Sequence, residues 1–328
     1  MTHKRPWYSS WVSATFTESS VLHALEIDHL TKRYGDNLAV DDLTFRVEPG
    51  RVTGFLGPNG SGKSTTMKIL LDLATADGGS ATIGGTRYRE LADPPRAVGV
   101  ILEPNAFHPA RTGRNHLKAV ADAGGIASTR VEETLRLVGL SDAADRGVGT
   151  YSLGMRQRLG LAAALLGDPP ILVLDEPANG LDPEGIRWLR DLLRSRAADG
   201  KTVFVSSHLL GEVEHLADDV VVINRGRLVT TGAIADLRKI GTSVRTPSNR
   251  SLITALDAAD CLVETQIDGS LLVSGIPAAE IGDRALAAGI AVHELSPHVG
   301  SLEDLFMGWT GSPTATDAPP TEKEKVLT

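Results

Sequence analysis

The nine residues from position 57 to position 65, GPNGSGKST, constrain the fold of this chain more than any other segment. They follow an apolar run, Val52 to Leu56, that predicts a strand, and they precede a helical pattern. Glycines let the N–H groups of such a loop converge on a phosphate cluster, and the helix start adds partial positive charge. This order predicts a phosphate-binding loop in an α/β fold. The alternative is a glycine-rich turn that carries a lysine.

The side chains of this loop have distinct expected roles. Lys63 can reach the terminal phosphates of a ligand, and the Ser64 hydroxyl can hold Mg²⁺. The expected phosphate-binding residues are Gly57, Pro58, Asn59, Gly60, Ser61, Gly62, Lys63, Ser64 and Thr65.

Composition and charge exclude several classes of protein. The 328 residues suit about two domains, and the apolar share of 41 % is enough for a sizeable core. A net charge of −8 argues against a general attraction to nucleic acid, although it leaves a local basic patch open. The single cysteine, Cys261, allows no intrachain disulfide and indicates a reducing compartment. Because no run of about 18 apolar residues occurs, we expect no membrane span.

Two different patterns divide the chain. From Ala24 to about Ile240, strand and helix patterns alternate, which predicts a core with a largely parallel sheet. After Gly241 the order becomes strand, helix, two strands, helix and strand, as in a ferredoxin-like domain. The expected parts are a disordered N-terminal tail at 1–24, a nucleotide-binding domain at 25–240, an accessory domain at 241–310 and a disordered tail at 311–328.

Some element boundaries can also be predicted. Asp182 is expected to cap a helix that begins at Pro183. Thr129 and Glu132 have the spacing of a capping box at the start of another helix. The last strand is expected over residues 290–295 and a short helix over residues 302–309.

A second candidate site lies where the apolar run 171–174 ends in two adjacent carboxylates. Acids at the end of a buried strand are costly unless their charges have partners, and Mg²⁺ with a water would supply them. We expect Asp175 to complete the metal shell and Glu176 to polarise an attacking water. The alternative, a strand end with two solvated acids, loses weight because the phosphate loop upstream supplies the matching partner.

Two further segments take their meaning from these sites. Ser152 and Gly154 begin a helical pattern, where they can form a second anion site. An ordinary helix cap is the alternative. His208 follows the strand pattern 202–205, and we expect it to meet the terminal phosphate, with a packed polar residue as the alternative.

In this order the four motifs resemble the nucleotide-binding subunit of an ATP-binding cassette (ABC) transporter, over residues 24–240. Ser152 lies 23 residues before Asp175, and His208 lies 33 residues after it, which is similar to the family's spacing. The resemblance implies a P-loop NTPase cassette with a mixed core sheet, an antiparallel β subdomain and a helical subdomain. It also implies that Tyr34 stacks on adenine, although a surface tyrosine at a strand end is the alternative.

The resemblance further implies ATP and Mg²⁺ as cofactors. In the family, two cassettes meet head to tail around two ATP molecules, so that the phosphate loop of one copy faces Ser152 and Gly154 of the other. The implied partners are a second nucleotide-binding subunit, expected to be identical, and a separate integral membrane permease, with no nucleic acid. The implied location is cytoplasmic, at the inner face of the cell membrane.

Two departures from the family pattern matter. Leu153 and Met155 stand where the family commonly has Gly and Gln. Glu103 stands where the family usually has Gln, and we expect it to bind Mg²⁺ or a water.

Glu103 and residues 301–306 resemble the branch that exports peptide antibiotics and related drugs, so an exporter ATPase is expected. The alternatives are a soluble cassette ATPase acting on ribosomes or DNA and a module that binds nucleotide without hydrolysis.

Overall fold

The computed structural model describes residues 24–102, 107–237, 240–257, 259, 261–266 and 268–299. The strands are β1 Leu25–Tyr34, β2 Asn37–Val47, β3 Val52–Leu56, β4 Gly78–Ile83, β5 Val98–Ile101, β6 Ile171–Leu174, β7 Thr202–Ser207, β8 Asp219–Asn224, β9 Arg227–Ala233, β10 Ile240–Arg245, β11 Leu262–Thr265, β12 Leu271–Ser274 and β13 Glu294–Val299. The α-helices are α1 Lys63–Leu70, α2 Pro94–Ala97, α3 Gly113–Ala123, α4 Thr129–Leu137, α5 Leu153–Leu165, α6 Pro183–Ala198, α7 Leu210–Leu216, α8 Ile234–Leu237, α9 Asn249–Leu256 and α10 Ala278–Ala287.

The central sheet has the strand order β5-β6-β7-β3-β8-β9. Strands β5, β6, β7, β3 and β8 run parallel, and β9 is antiparallel to β8, so the expected largely parallel sheet is confirmed. All five residues of β3 are buried, as in a sheet covered on both faces. Because β6, β7 and β3 are neighbours, the segments that follow them meet at one edge of the sheet.

An antiparallel sheet with the order β2-β1-β4 covers one face of the central sheet. Leu43, Phe45 and Val47 alternate with more exposed residues along β2, and all three are buried. The ring of Phe45 lies 5.3 Å from that of Phe55 in β3 and 5.9 Å from that of Phe204 in β7. These aromatic contacts hold β2, and with it the paired strand β1, against the central sheet.

A helical layer of α3, α4 and α5 packs on the other side of the core. Leu117, Val131, Leu135 and Leu159 are fully buried in one apolar cluster there. Val131 and Leu135 lie four residues apart, so α4 buries one apolar face. This layer carries the start of α5 and therefore Ser152.

Strands β10 to β13 form a third sheet with the order β11-β12-β10-β13, antiparallel throughout. With α9 and α10 this is the strand order of the expected ferredoxin-like motif. Val244, Leu252, Val273 and Ile281 belong to its own apolar cluster. The final strand begins at Glu294 and not at residue 290, because the chain after α10 first turns through Gly289 at φ +68°.

The expected tails at 1–24 and 311–328 and the helix at 302–309 lie outside the described residues, except for residue 24. Within the described ranges, each helix is too short or too polar to cross a bilayer.

Candidate functional site

The loop between β3 and α1 is held open by glycines that its neighbours require. A Cβ on Gly57 would come within 2.5 Å of the Ile223 carbonyl oxygen at the end of β8. A Cβ on Gly62, at φ +106°, would come within 2.4 Å of the Ala39 carbonyl oxygen in β2. No side chain fits at either position without displacing backbone, so these glycines keep the loop curled between two strands.

Lys63 lies inside this loop and is only 6 % exposed. Its ammonium donates hydrogen bonds to the carbonyl oxygens of Gly57 at 2.6 Å and Pro58 at 3.2 Å. It also lies 3.8 Å from Glu176 Oε1. Burial lowers the pKa of Lys63, while the carboxylates of Glu176 and Asp175 oppose that shift. The loop thus surrounds one cation, which is what an anionic polyphosphate requires.

Asp175 and Glu176 follow β6 and are tied to β7 by one hydroxyl. The Ser206 Oγ donates to Asp175 Oδ1 and accepts from the Glu176 N–H at 2.9 Å. The Asp175 N–H donates to the Ile101 carbonyl oxygen at 2.7 Å. Asp175 is 6 % exposed, and its buried carboxylate has Ser206 as a hydrogen-bond partner while its backbone is held by Ile101.

Glu176 connects the loop to His208. Its Oε2 lies 2.8 Å from His208 Nδ1, and its Oε1 faces the Lys63 ammonium. Glu176 has φ +48°, a conformation that costs a residue with a Cβ about 1 kcal/mol or more and is typical of functional sites. The structure therefore brings together three of the predicted residues, Lys63, Glu176 and His208, which come from three separate segments.

Two residues that hold the acids in place, Ser206 and Gln157, were not predicted from the sequence. Ser206 lies in the segment that precedes His208, but nothing in the sequence shows that it faces β6. Gln157 on α5 is fully buried, and its Nε2 donates to the Pro177 carbonyl oxygen at 2.9 Å. In the sequence Gln157 stands between Arg156 and Arg158, so nothing marks it as buried. Gln157 links the helical layer to the segment after the acids.

The second predicted anion site lies at the start of α5. Ser152 caps this helix, and its Oγ accepts from the Met155 N–H at 3.2 Å. A Cβ on Gly154 would lie 3.0 Å from the Gly180 carbonyl oxygen, and Leu153 packs over Gly180. The start of α5 is therefore packed against the loop that follows the two acids.

The remaining predicted residues differ in placement. Tyr34 ends β1 and is 50 % exposed. Ser64 and Thr65 lie in the first turn of α1, where Ser64 is exposed. Glu103 lies outside the described residues.

The available oxygen atoms fit a hard cation that takes its other ligands from a bound anion. Ser64 and Asp175 offer oxygen atoms, which Mg²⁺ prefers. Among the described residues, no three His, Cys, Asp or Glu side chains form a group that could hold a metal ion alone. Mg²⁺ characteristically takes few protein ligands together with phosphate oxygens and water, so this composition suits it.

Glu212 on α7 lines a cavity of about 180 Å³ together with Glu176 and Ser206. Burial, and secondly the charge of Glu176, raise the pKa of Glu212 above its usual 4.5, while His208 opposes the shift. The folded chain therefore disfavours the ionised carboxylate, so this group lowers the stability of the fold at a pH above its raised pKa. Below pH 4.5 it is protonated in both, so the penalty disappears.

We therefore expect Glu212→Gln to raise the free energy of unfolding at pH 7. This gain should shrink as the pH falls through the raised pKa towards 4.5. Urea unfolding at both pH values measures it, with the exposed Glu90→Gln as the matched control. A Glu212→Gln variant less stable than wild type at pH 7 would contradict this account.

Comparison with known proteins gives consistent matches. Residues 40–179 match the family described as ABC transporter, and residues 241–303 match a domain of unknown function, DUF8746. The chain is 37 % identical to the uncharacterized ABC transporter ATP-binding protein YhcH of Bacillus subtilis, over 88 % of this chain and 96 % of that protein. It is 40 % identical to the bacitracin transport ATP-binding protein BcrA of Enterococcus faecalis, over 66 % of this chain and 71 % of that protein.

Two further similarities concern a transport protein and a solved structure. The lantibiotic transport ATP-binding protein SrtF of Streptococcus pyogenes is 39 % identical, over 62 % of this chain and 89 % of that protein. A solved ATP-binding subunit of an ABC transporter superposes with a TM-score of 0.60 at 30 % identity, covering 65 % of this chain and 91 % of that one. The family resemblance and the cassette fold expected from the sequence are therefore confirmed.

Proposed function

The chain belongs to the ATP-binding proteins of ABC transporters, and we propose that it powers export through a separate membrane permease. It binds ATP and hydrolyses it, as cassettes of this family do. The observation that carries the proposal is the connected set of Lys63, Glu176 and His208 at one edge of the sheet. A nucleotide seated in the loop would meet all three.

Each residue of this set has a proposed role. Lys63 neutralises the terminal phosphates, and the loop N–H groups from Gly57 to Thr65 orient them. Glu176 accepts a proton from the attacking water as general base, and His208, hydrogen-bonded to it, fixes the orientation of its carboxylate.

Mg²⁺ held by Ser64 and Asp175 would neutralise charge that develops on the phosphates. A role for Glu103 in this shell stays a prediction.

We propose that a second copy of the chain completes each site. Ser152 and Gly154 begin α5, where the helix dipole and unpaired N–H groups attract an anion. Within its own chain this helix start packs against the Gly180 loop. The proposed ligand is a phosphate of the nucleotide bound by the partner, in a head-to-tail homodimer with two ATP molecules.

The proposed cargo is a drug or peptide antibiotic. It is supported by the similarity to the bacitracin and lantibiotic transport proteins. The relatives reported above are transport proteins, and they give no support to a soluble ATPase acting on ribosomes or DNA. We place the protein at the inner face of the cell membrane, bound to the permease.

The proposed domain limits follow the sheets. The nucleotide-binding domain is placed at 25–240 and the accessory domain at 241–310, and the separate apolar cluster of β10 to β13 supports this division.

The test is to co-express the chain with candidate multi-span membrane proteins, above all those encoded beside it. We expect one of them to co-purify and to change the rate of ATP hydrolysis when peptide antibiotic is added. ATPase activity that stays the same in every complex would argue for the soluble alternative, and absence of ATPase activity would argue for a binding module.

A further inference from the structure

A lysine lies against the ring of Tyr34. The Lys32 Nζ is 5.2 Å from the ring centroid, within the range of a cation–π interaction. The Lys32 side chain is only 14 % exposed, while Tyr34 is 50 % exposed. The ammonium thus occupies one side of the ring, and a large part of the tyrosine remains open to solvent.

Asp77, just before β4, holds this lysine in place. Its Oδ1 accepts from Lys32 Nζ at 3.1 Å, and its Oδ2 accepts from the Arg33 N–H at 2.7 Å. The Asp77 N–H in turn donates to the Thr31 carbonyl oxygen at 2.9 Å. The Arg33 N–H and, secondly, Lys32 lower the pKa of Asp77, so its carboxylate stays charged over the physiological range. Lys32 is therefore anchored by a fixed partner.

The same hairpin touches the phosphate loop. Tyr34 pairs with Asn37, and β2 then continues to Ala39, whose carbonyl oxygen abuts Gly62. Ala39 lies two residues after Asn37 in the strand, a length of roughly 7 Å. A backbone hydrogen bond at 2.9 Å from Gly226 to the Ser61 carbonyl oxygen ties the loop to the β8–β9 turn. A nucleotide with its phosphates in the loop is long enough to place its base near Tyr34.

We infer that Lys32 is a positioning residue, which holds the Tyr34 ring so that its open face forms a platform for the nucleobase. This inference rests on the proposed function, because it presumes a nucleotide in the loop. A ring fixed beforehand loses less conformational freedom when the base stacks on it. Stacking recognises the face of the base and not its hydrogen-bonding edge, so adenine and guanine should benefit alike.

The test compares ligands with and without a base that share the same phosphates. Dissociation constants for Mg-ADP, Mg-GDP and Mg-pyrophosphate are measured with the full chain by competition against a fluorescent nucleotide. We expect Lys32→Met to raise the dissociation constants of both nucleotides about three- to tenfold and to leave that of pyrophosphate unchanged. Lys32→Arg should stay near wild type, since a guanidinium also stacks on a ring and binds Asp77. The exposed Lys118→Met is the matched control for charge.

Each other outcome has one meaning. If Lys32→Met weakens nucleotide and pyrophosphate equally, the lysine acts as a general charge and the inference is overturned. The inference also falls if Lys32→Met binds every ligand as wild type does, and the proposed function then still stands. If the wild-type chain binds no nucleotide at all, the proposed function fails and takes the inference with it.

Discussion

Replacing Glu176 with glutamine will slow ATP hydrolysis by about 10²- to 10⁴-fold, the usual contribution of a general base, while Mg-ATP binding survives. Glutamine has the shape of glutamate and can keep a hydrogen bond to His208, but it cannot accept the proton of the attacking water. The substitution also removes a negative charge 3.8 Å from Lys63. Binding of an anionic nucleotide should therefore stay equal to wild type or become tighter.

Two measurements are needed to separate these effects. Phosphate release reports hydrolysis, and equilibrium titration with Mg-ATP reports binding. Glu90→Gln, which removes an exposed carboxylate outside the site, should leave both unchanged. Wild-type hydrolysis in the Glu176→Gln variant would show that another group is the base, and loss of binding would show that Glu176 shapes the loop.

The central part of the site could be predicted from the sequence because parallel strands end at a common edge. The run 171–174 is identical to β6, and Val52–Leu56 is identical to β3. Once both are strands of one parallel sheet, Lys63, Glu176 and His208 must converge. The Asp182 cap was predictable for a local reason, since its side chain accepts from the Gly185 N–H three residues away.

A prediction made from local spacing alone was wrong where a side chain binds a residue far away in the sequence. The capping box at Thr129 and Glu132 is wrong, because the N-cap is Ser128 and its side chain makes no capping hydrogen bond. Glu132 instead pairs with Arg114 on α3. An ion pair between two helices can be as strong as a capping box and can form in its place. The spacing of residues within one helix does not show the partner on the other.

The residues that hold the acids were missed for the same reason. Ser206 acts across the β6–β7 pair, and Gln157 acts from α5, some twenty residues before the segment that it binds. Side chains of this kind have no motif of their own. They become visible only when strand register and helix packing are known.

A mixture of two inactive variants, Lys63→Met and Ser152→Arg, will regain about a quarter of wild-type ATPase activity if the copies pair head to tail. Lys63→Met removes the cation of the phosphate loop and leaves α5 intact. Ser152→Arg removes the cap of α5 and places positive charge at the positive end of the helix, but it leaves the phosphate loop intact. Each variant alone has no complete site.

In a mixed dimer one of the two sites combines the intact loop of one copy with the intact α5 start of the other. Random pairing makes about half of the dimers mixed, and about half of their sites are whole, which gives the expected quarter. Activity is measured for each variant alone and for the equimolar mixture at the same total concentration.

The control for the arginine is Ser128→Arg, which makes the same change at the exposed start of α4 and should retain activity alone. Full activity of Ser152→Arg alone would mean that each chain completes its own site. A mixture that stays inactive, although both variants fold and Ser152→Arg still binds Mg-ATP, would exclude the head-to-tail arrangement. Recovery in the mixture requires Lys63 and Ser152 to act on one nucleotide from different copies, because neither chain carries both.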